Sequence, residues 1–512
     1  MFSDSGVTVS SWMPRVQMPA TKPLTQDASA DVCVVGAGIA GISTAYALCR
    51  EGKTVIVIDD GGIGSGETGR TTAHLASALD DGFTSLIGIF GLEGAKLAYL
   101  SHAAAIDQIE KNITLEDIDC DFSRLDGYLF EPTDGDVGRL HKELAAARQV
   151  GVVGVHMVDS APLPFDTGPA LVFPKQGQFH PLKYLAGLAR GILAEGGNIY
   201  TQTRATEIHG GPDAYVITGN QQRISAGHIV VATNSPVNDM VVMHTKQAAY
   251  RSYAIAFRIA AGVIPPGLYW DDADPYHYLR LQQYGEFNDE QLLIVGGDDH
   301  KTGHSPGPEV AMQSLEAWTR HRIPAVGEIV HRWSGQVMEP IDSLAFIGRN
   351  PRDDENVYIV TGDSGHGLTH GTIASMLIPD LIMKRDNPWK ALYDPSRKSM
   401  RSAGEFAEEN INVAAQYRDW VTAGDVGAVE QIGPGSGAVI RSGITKLAAY
   451  RDEKGELHTY SAVCPHLQCI VRWNALEKSF DCPCHGSRFA ADGHAINGPA
   501  IDGLTPVPRP VS

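Results

Sequence analysis

Residues 464–489 read CPHLQCIVRWNALEKSFDCPCHGSRF. Cys464 and His466 make a C-x-H pair, Cys482 and His485 a C-x-x-H pair, and fifteen residues separate the two. Two thiolates and two imidazoles are the donor set of an asymmetric [2Fe–2S] centre, with sulfur on one iron and neutral nitrogen on the other. A structural zinc site is the competing reading of the same four donors. The two remaining cysteines, Cys469 and Cys484, sit one in each loop, where a disulfide could tie the loops together. Zinc has no use for that extra pair. A centre of this kind passes one electron at a time, so the rest of the chain is expected to hold its redox partner.

With Gly486 and Ser487 following the last ligand, the stretch resembles a Rieske domain. The resemblance implies Cys464, His466, Cys482 and His485 as cluster ligands. From about residue 426, short strand patterns separated by glycine turns suit a small all-β module. Gly498-Pro499 stands where Rieske domains place a proline-containing covering loop. Ser487 is at the position whose hydroxyl, in high-potential Rieske proteins, donates to a bridging sulfide. The tyrosine that such proteins carry two residues later is Phe489 here, so a lower potential is expected.

Upstream, VCVV (32–35) runs into GAGIAG (36–41), an apolar helical pattern, and a second strand pattern ending at Asp59 and Asp60. Strand, tight turn, helix, strand is the setting of a dinucleotide fingerprint. Gly36 makes the turn, Gly38 admits a pyrophosphate to the backbone of Ala37, Ile39 and Ala40, and Gly41 lets the helix close on the sheet. The helix N-terminus faces the phosphate charge. Asp59, eighteen residues beyond Gly41, is placed to accept ribose hydroxyls. A glycine turn in an unrelated α/β unit is the bland alternative.

The next stretch, GGIGSGETGRTTAHLAS (61–77), resembles the small-residue loop of D-amino-acid-oxidase-like flavoproteins, in their Rieske-bearing branch. The resemblance implies FAD, with Thr68, Gly69, Thr71 and Thr72 on the flavin side and Ala205 and Thr233 along the crevice. His74 lies near where some relatives that oxidise methylated amines attach flavin covalently; a hydrogen-bonding or packing histidine is the alternative. NVYIVTGDSGHGLTHGT (356–372) reads as strand, glycine turn and helix, a second cofactor segment with Gly362, Asp363, His366, Gly367 and Thr369. A Gly-Asp pair also occurs in aromatic-ring hydroxylases, but GHGLTHGT looks like the amine-oxidising branch. That helix start can face the flavin pyrimidine, where negative charge gathers on reduction.

Alternating strand patterns between 249 and 300 predict a sheet roofing the flavin, with Tyr253, His277, Arg280, His300 and His366 as pocket candidates. No single catalytic residue can be named. Many amino-acid oxidases have an arginine shortly after a Trp-x-Gly; here Gln336, Val337 and Met338 follow Gly335, which weighs against an α-amino-acid substrate. Arg280 is the one candidate replacement.

The expected fold is an α/β FAD-binding Rossmann-like domain, an antiparallel-sheet (α+β) substrate domain and a small all-β Rieske domain. The expected boundaries are an N-terminal arm, loosely ordered, over 1–29; the FAD-binding domain over 30–91, 161–239 and 340–388; the substrate domain over 92–160 and 240–339; a linker over 389–425; and the Rieske domain over 426–512. Residues 92–160 read as mainly helical. The net charge of −19 argues against nucleic acid or an anionic membrane as partner and is compatible with amine-like substrates. No long apolar run predicts a membrane span, the N-terminus lacks a secretory pattern, and the default location is cytoplasmic. The expected activity is that of an FAD-dependent oxidoreductase. It would oxidise an amine or amino-acid-like C–N bond by hydride transfer and pass electrons singly through the cluster to an external one-electron acceptor, with a homo-oligomer as one allowed state. Reversed flow from a donor protein, supporting reduction or oxygenation, is one alternative; a cluster domain used for redox sensing or docking is another.

Overall fold

The computed structural model describes residues 4–508 except 15, 132–134, 136, 239–242, 286–288, 305–306, 352, 399–416 and 421. The middle of the expected linker therefore lies outside the described residues. Among the described residues, Val357–Thr361, Arg223–Asn234, Ala28–Val35, Val55–Ile58 and Asn198–Tyr200 form a parallel core in that order, with Phe346–Arg349 antiparallel at one edge. Val55–Ile58 and Val357–Thr361 are buried at every position, as befits strands covered on both faces. Gly36, at φ +109°, has no space for a side chain: a Cβ would lie 2.4 Å from the Ala232 carbonyl oxygen. The chain therefore turns sharply from strand into helix Ile39–Arg50, which packs along helix Gly367–Ile382.

The second sheet runs Ile329–Pro340, Gln247–Ala260, Glu290–Lys301, His277–Tyr284, Leu268–Asp271, Ser123–Phe130, Ala170–Gln178, His74–Leu75. Its two faces alternate residue by residue. Ala254 and Ala256 join the core shared with the first sheet, while Tyr253, Ile255 and Phe257 join a second core under helix Pro308–Arg322. One expectation is refined and one corrected here. Residues 92–160 are mainly helical, through Gly82–Leu115 and Val137–Val150, but Ser123–Phe130 between them is a strand of this sheet. The segments His74–Leu75 and Ala170–Gln178 also belong to it rather than to the FAD-binding domain. Their pairings are non-local, which helix periodicity does not register.

Helix Gly82–Leu115, bent at Gly91, is long and apolar enough to cross a membrane by length and composition, although no span was expected. Within the fold its polar side chains are used internally: Ser101 with Tyr393, His102 with Thr369 and His370, Asn112 with Tyr184.

The small domain consists of a three-stranded sheet, Ser436–Ser442, Thr445–Arg451 and Leu457–Ser461, and a four-stranded one, Arg472–Asn474, Ser479–Asp481, Arg488–Ala490 and Ala495–Asn497. It is seated on the rest of the chain by Glu477, whose side chain is wholly buried. Glu477 accepts hydrogen bonds from Arg70 Nη1 at 2.8 Å, Ser334 Oγ at 2.6 Å and Thr8 Oγ1 at 2.6 Å, with Arg251 Nη2 at 3.4 Å. The N-terminal arm is therefore not loose over its described part. Trp12 is fully buried, its Nε1 donates to Thr71 O at 2.5 Å, and Ser10 Oγ donates to Gly69 O at 2.5 Å. Isolated apolar residues in a polar stretch leave no periodicity to read, and their burial is set by the partner surfaces.

Burial opposes ionisation of Glu477, but Arg70, Arg251, Arg488 and the Ser334 hydroxyl outweigh it and hold the carboxyl down to about 2. A depressed carboxyl stabilises the folded state above the ordinary glutamate pKa and loses that contribution as the pH falls toward 2. The contribution is about 3 kcal/mol. Glu477→Ala, which leaves buried guanidinium groups without their anion, is expected to cost about 3–5 kcal/mol. Denaturant titration at about pH 7 and about pH 3 checks both: the gap between variant and parent should shrink at the acid value.

Candidate active site and cluster site

One cavity of about 950 Å³ extends from the glycine turn at Gly36 to the second sheet. Every expected cofactor residue lines it except Ala37, Gly41, Gly69, Gly362 and Thr369. Thr369 is turned into the core instead, 2.8 Å from His102 Nδ1. Thr68 Oγ1 accepts from Ile39 N at 3.0 Å and so braces the helix start that faces the crevice. Asp59 Oδ2 accepts from Ala37 N at 2.5 Å and Oδ1 from Gly61 N at 2.8 Å. Burial, with Asp4 and Asp60 alongside, pushes the Asp59 carboxyl up to about 8. Three carboxylates lie together there, Asp4, Asp59 and Asp60, a setting that favours hydroxyl donors such as those of a ribose.

At the other end, the loop before helix Gly367–Ile382 passes through Gly362 and Gly365, both at positive φ. His366 Nε2 is 3.1 Å from Asp80 N and 3.4 Å from Asp80 Oδ1. Burial disfavours the imidazolium of His366, but Asp80, Asp81 and Asp363 outweigh burial and raise its pKa. Its neighbours His102 and His370 are the opposite case, held neutral by burial. The positive end of the helix is where an anion on the cofactor would be stabilised, with His366 beside it paired to Asp80. His74, pushed down to about 3 by burial and Arg280, keeps a buried Nε2 with no hydrogen-bond partner on the same wall. An orphaned polar atom beside an open crevice fits a flavin there.

The four strand-borne pocket candidates do not converge on the cavity. His277 Nδ1 is 3.0 Å from Asp271 Oδ2 and its ring stacks on Trp318, behind the sheet. Tyr253 touches the cavity wall, but its ring packs in the rear core and stacks on His300. The Arg280 guanidinium is taken up by backbone carbonyls, Ala73 O at 2.7 Å and Phe179 O at 3.3 Å, so it replaces no carboxylate clamp. The wall is made instead by Tyr250, Ser252, Trp270, Tyr276, Tyr278 and Asp299. Alternation put these residues on the sheet without saying which of its faces turned inward.

In the small domain, Cys464 and Cys482 are buried free thiols, the rings of His466 and His485 lie 5.0 Å apart, and Cys469 is disulfide-bonded to Cys484. His485 is kept neutral by burial next to His466 and His244, and its Nδ1 is buried with no partner. Paired thiols, paired imidazoles and an orphaned ring nitrogen fit a Rieske cluster. Ser487 Oγ accepts from Ala500 N at 3.0 Å, which leaves its proton for the Cys464 sulfur. Phe489 is fully buried.

The ligand loops face the flavin-binding part of the chain. His244 lies 5.1 Å from His466 and 6.3 Å from His485, ring to ring. Gln336, on the cavity wall, donates from Nε2 to Gly486 O at 3.0 Å and accepts from Thr302 Oγ1 at 3.3 Å, while its backbone N–H is held by Glu67 at 2.6 Å. Gly486 has φ +76°, and a Cβ there would lie 2.3 Å from that of Ala249, so only glycine permits this approach.

Fold and sites together define an oxidoreductase with a flavin crevice and an attached iron–sulfur module. Residues 31–381 match the FAD dependent oxidoreductase family, DAO, and residues 421–508 match the Rieske [2Fe-2S] domain; the chain belongs to the DAO family and carries a Rieske domain. Its cofactors are FAD and a [2Fe-2S] cluster. It is 32% identical over 496 residues to the Rieske 2Fe-2S iron-sulfur protein YhfW of Bacillus subtilis, covering 96% of each chain. It is 26% identical to the gamma-glutamylputrescine oxidoreductase of Escherichia coli, over 70% of this chain and 85% of that one. Glycine oxidase from Geobacillus kaustophilus shares the fold at a TM-score of 0.60 and 17% identity, over 72% of this chain and 99% of its own.

Removing or adding one hydrogen bond to the cluster should move its midpoint by about 40 mV, the electrical equivalent of ~1 kcal/mol for one electron. Ser487→Ala is expected to lower it and Phe489→Tyr to raise it, both read by redox titration of the cluster absorption.

Proposed function

We propose that this chain oxidises the C–N bond of an amine-type substrate and delivers the electrons through its Rieske cluster to an external one-electron acceptor. The observation that carries this is the thinness of the partition between cavity and cluster. Gln336 borders the cavity and binds the carbonyl of Gly486, the residue next to the ligand His485. When bound, FAD supplies a two-electron hydride acceptor and the cluster a one-electron carrier.

The chain's own residues prepare for that chemistry. The second sheet excludes water and orients what enters. The start of helix Gly367–Ile382 turns the positive end of its dipole toward the cavity, with the His366–Asp80 pair beside it. The absence of an obvious base is consistent with a substrate that needs mainly to be deprotonated and held in line. Glu477 fixes the small domain in its seat, so no swing of that domain is required. The relative that acts on gamma-glutamylputrescine, itself an amine, supports the substrate class.

Anaerobic mixing with candidate amines, followed by stopped-flow absorption, tests the reading. Flavin absorption should fall first and cluster absorption afterwards. Gln336→Ala should slow the second phase by about tenfold, the worth of one well-placed hydrogen bond. A cluster that stays oxidised through many turnovers would instead favour a sensing or docking role, and a cluster that must be reduced first would favour reversed flow.

A further inference from the structure

We infer that the substrate-side end of the cavity is a receptor for an organic ammonium group, with Asp299 as the anion that receives it, Tyr276, Tyr278 and Trp270 as aromatic walls, and no partner for a carboxylate beside it. This rests on the amine-oxidising reading above and narrows it.

Asp299 stands near the end of strand Glu290–Lys301, on the cavity wall. Its Oδ2 accepts the Tyr276 hydroxyl at 2.9 Å, whereas Oδ1 is buried and meets no donor in hydrogen-bond geometry. A buried anionic oxygen without a donor is costly, and a cationic N–H group removes that cost. The rings of Tyr276 and Tyr278 stack at 5.8 Å, and Trp270 stacks on Phe173 at 5.9 Å. Aromatic faces around one carboxylate are a setting that attracts an ammonium ion. Tyr278 also meets His74 edge-on at 5.3 Å, so this corner adjoins the loop that lines the flavin crevice.

Burial pushes the Asp299 carboxyl up to about 7, opposed by the Ser252 and Tyr276 hydroxyls and reinforced by Asp80 and Asp298. An arriving ammonium group supplies the counter-charge that favours the ionised form.

A substrate carboxylate finds no comparable partner among the described lining residues, since His366 is paired with Asp80 at 3.4 Å. Arg70 is bound to Glu477, Arg139 is engaged with Asp272 and Glu131, and Arg204 faces Asp60 at the adenine end. Lys142 is exposed. Asp80, Glu339 and Asp363 line the same cavity and add negative charge.

The test is calorimetric titration of dithionite-reduced holoprotein, which cannot turn over, with benzylammonium, benzyl alcohol and phenylglycine. Benzylammonium should bind roughly 10- to 100-fold tighter than the alcohol, the worth of a charge-assisted hydrogen bond. Phenylglycine should bind more weakly than benzylammonium. Asp299→Asn should abolish the charge preference and Asp299→Glu retain part of it, with FAD content checked in each. If Asp299→Asn fails to retain FAD, the three-ligand comparison on the parent protein decides alone. Equal binding of amine and alcohol, tighter binding of phenylglycine, or no saturable binding of any of the three overturns the assignment. Anaerobic flavin bleaching separates this from the parent reading. Charge-selective binding without bleaching upholds the receptor and counts against amine oxidation. Bleaching without charge selectivity overturns the receptor and leaves amine oxidation standing.

Discussion

The arrangement depends on one buried carboxylate. Glu477 leaves the small domain and is received by Arg70 from the flavin loop, Ser334 and Arg251 from the second sheet, and Thr8 from the N-terminal arm. Four separate stretches of chain meet on one side chain that sees no solvent. Replacing such a contact with well-packed apolar residues is often neutral or stabilising, because desolvation offsets the attraction. Its effect here is geometric. An apolar patch tolerates sliding, whereas a carboxylate that must find donors from several segments has one seat. With that seat fixed, the ligand loops come to rest against Ala249, Gln336 and Gly303.

The second sheet then serves both sides. Along Gln247–Ala260, Tyr250 and Ser252 line the cavity, while Arg251 and Tyr253, one residue on in each case, point the other way, Arg251 to Glu477 and Tyr253 to His300. The period of two that makes it a strand also makes it a partition with a cofactor site on each side. Gln336 belongs to both: it borders the cavity, and its amide binds the cluster loop. A long cationic side chain reaching into the cavity from this position could not also make that contact. The lack of an arginine after Gly335, read from the sequence as a statement about substrate, is equally a statement about docking.

What the sequence made legible was local. The GAGIAG turn, the GHGLTHGT helix start and the two ligand loops each depend on spacing within a dozen or so residues, and spacing is what a sequence displays. The structure adds what non-local contact decides. Ser123–Phe130 pairs with Ala170–Gln178 on one side and Leu268–Asp271 on the other, so the domain boundary drawn between the first two was misplaced. Glu477 sits in the polar stretch NALEKS and has every local mark of a surface residue, yet it is wholly buried. Trp12 lies in a stretch that would be exposed in isolation. His277 and His300 were pocket candidates as residues of the sheet expected to roof the flavin, but their partners, Asp271, Trp318 and Tyr253, are packing neighbours across the rear of that sheet.

Charge in the interior follows a consistent division. At the start of helix Gly367–Ile382, carboxylates surround His366 and favour its protonated form, while at His102 and His370 behind it burial prevails and favours the neutral ring. On the second-sheet wall, half-buried Asp299 sits among hydroxyls and aromatic rings, with Asp80, the partner of His366, among the charges that act on it. Acidic side chains therefore line both the corner at His366 and the second-sheet wall, a setting that favours a cation in the cavity. In the proposed amine oxidation, loss of a hydride would leave the substrate cationic, and fixed carboxylates beside it would favour that change. That acidic lining is contributed by the second sheet, through Asp299 and Glu339, and by the segments that precede two helices, through Asp80 and Asp363.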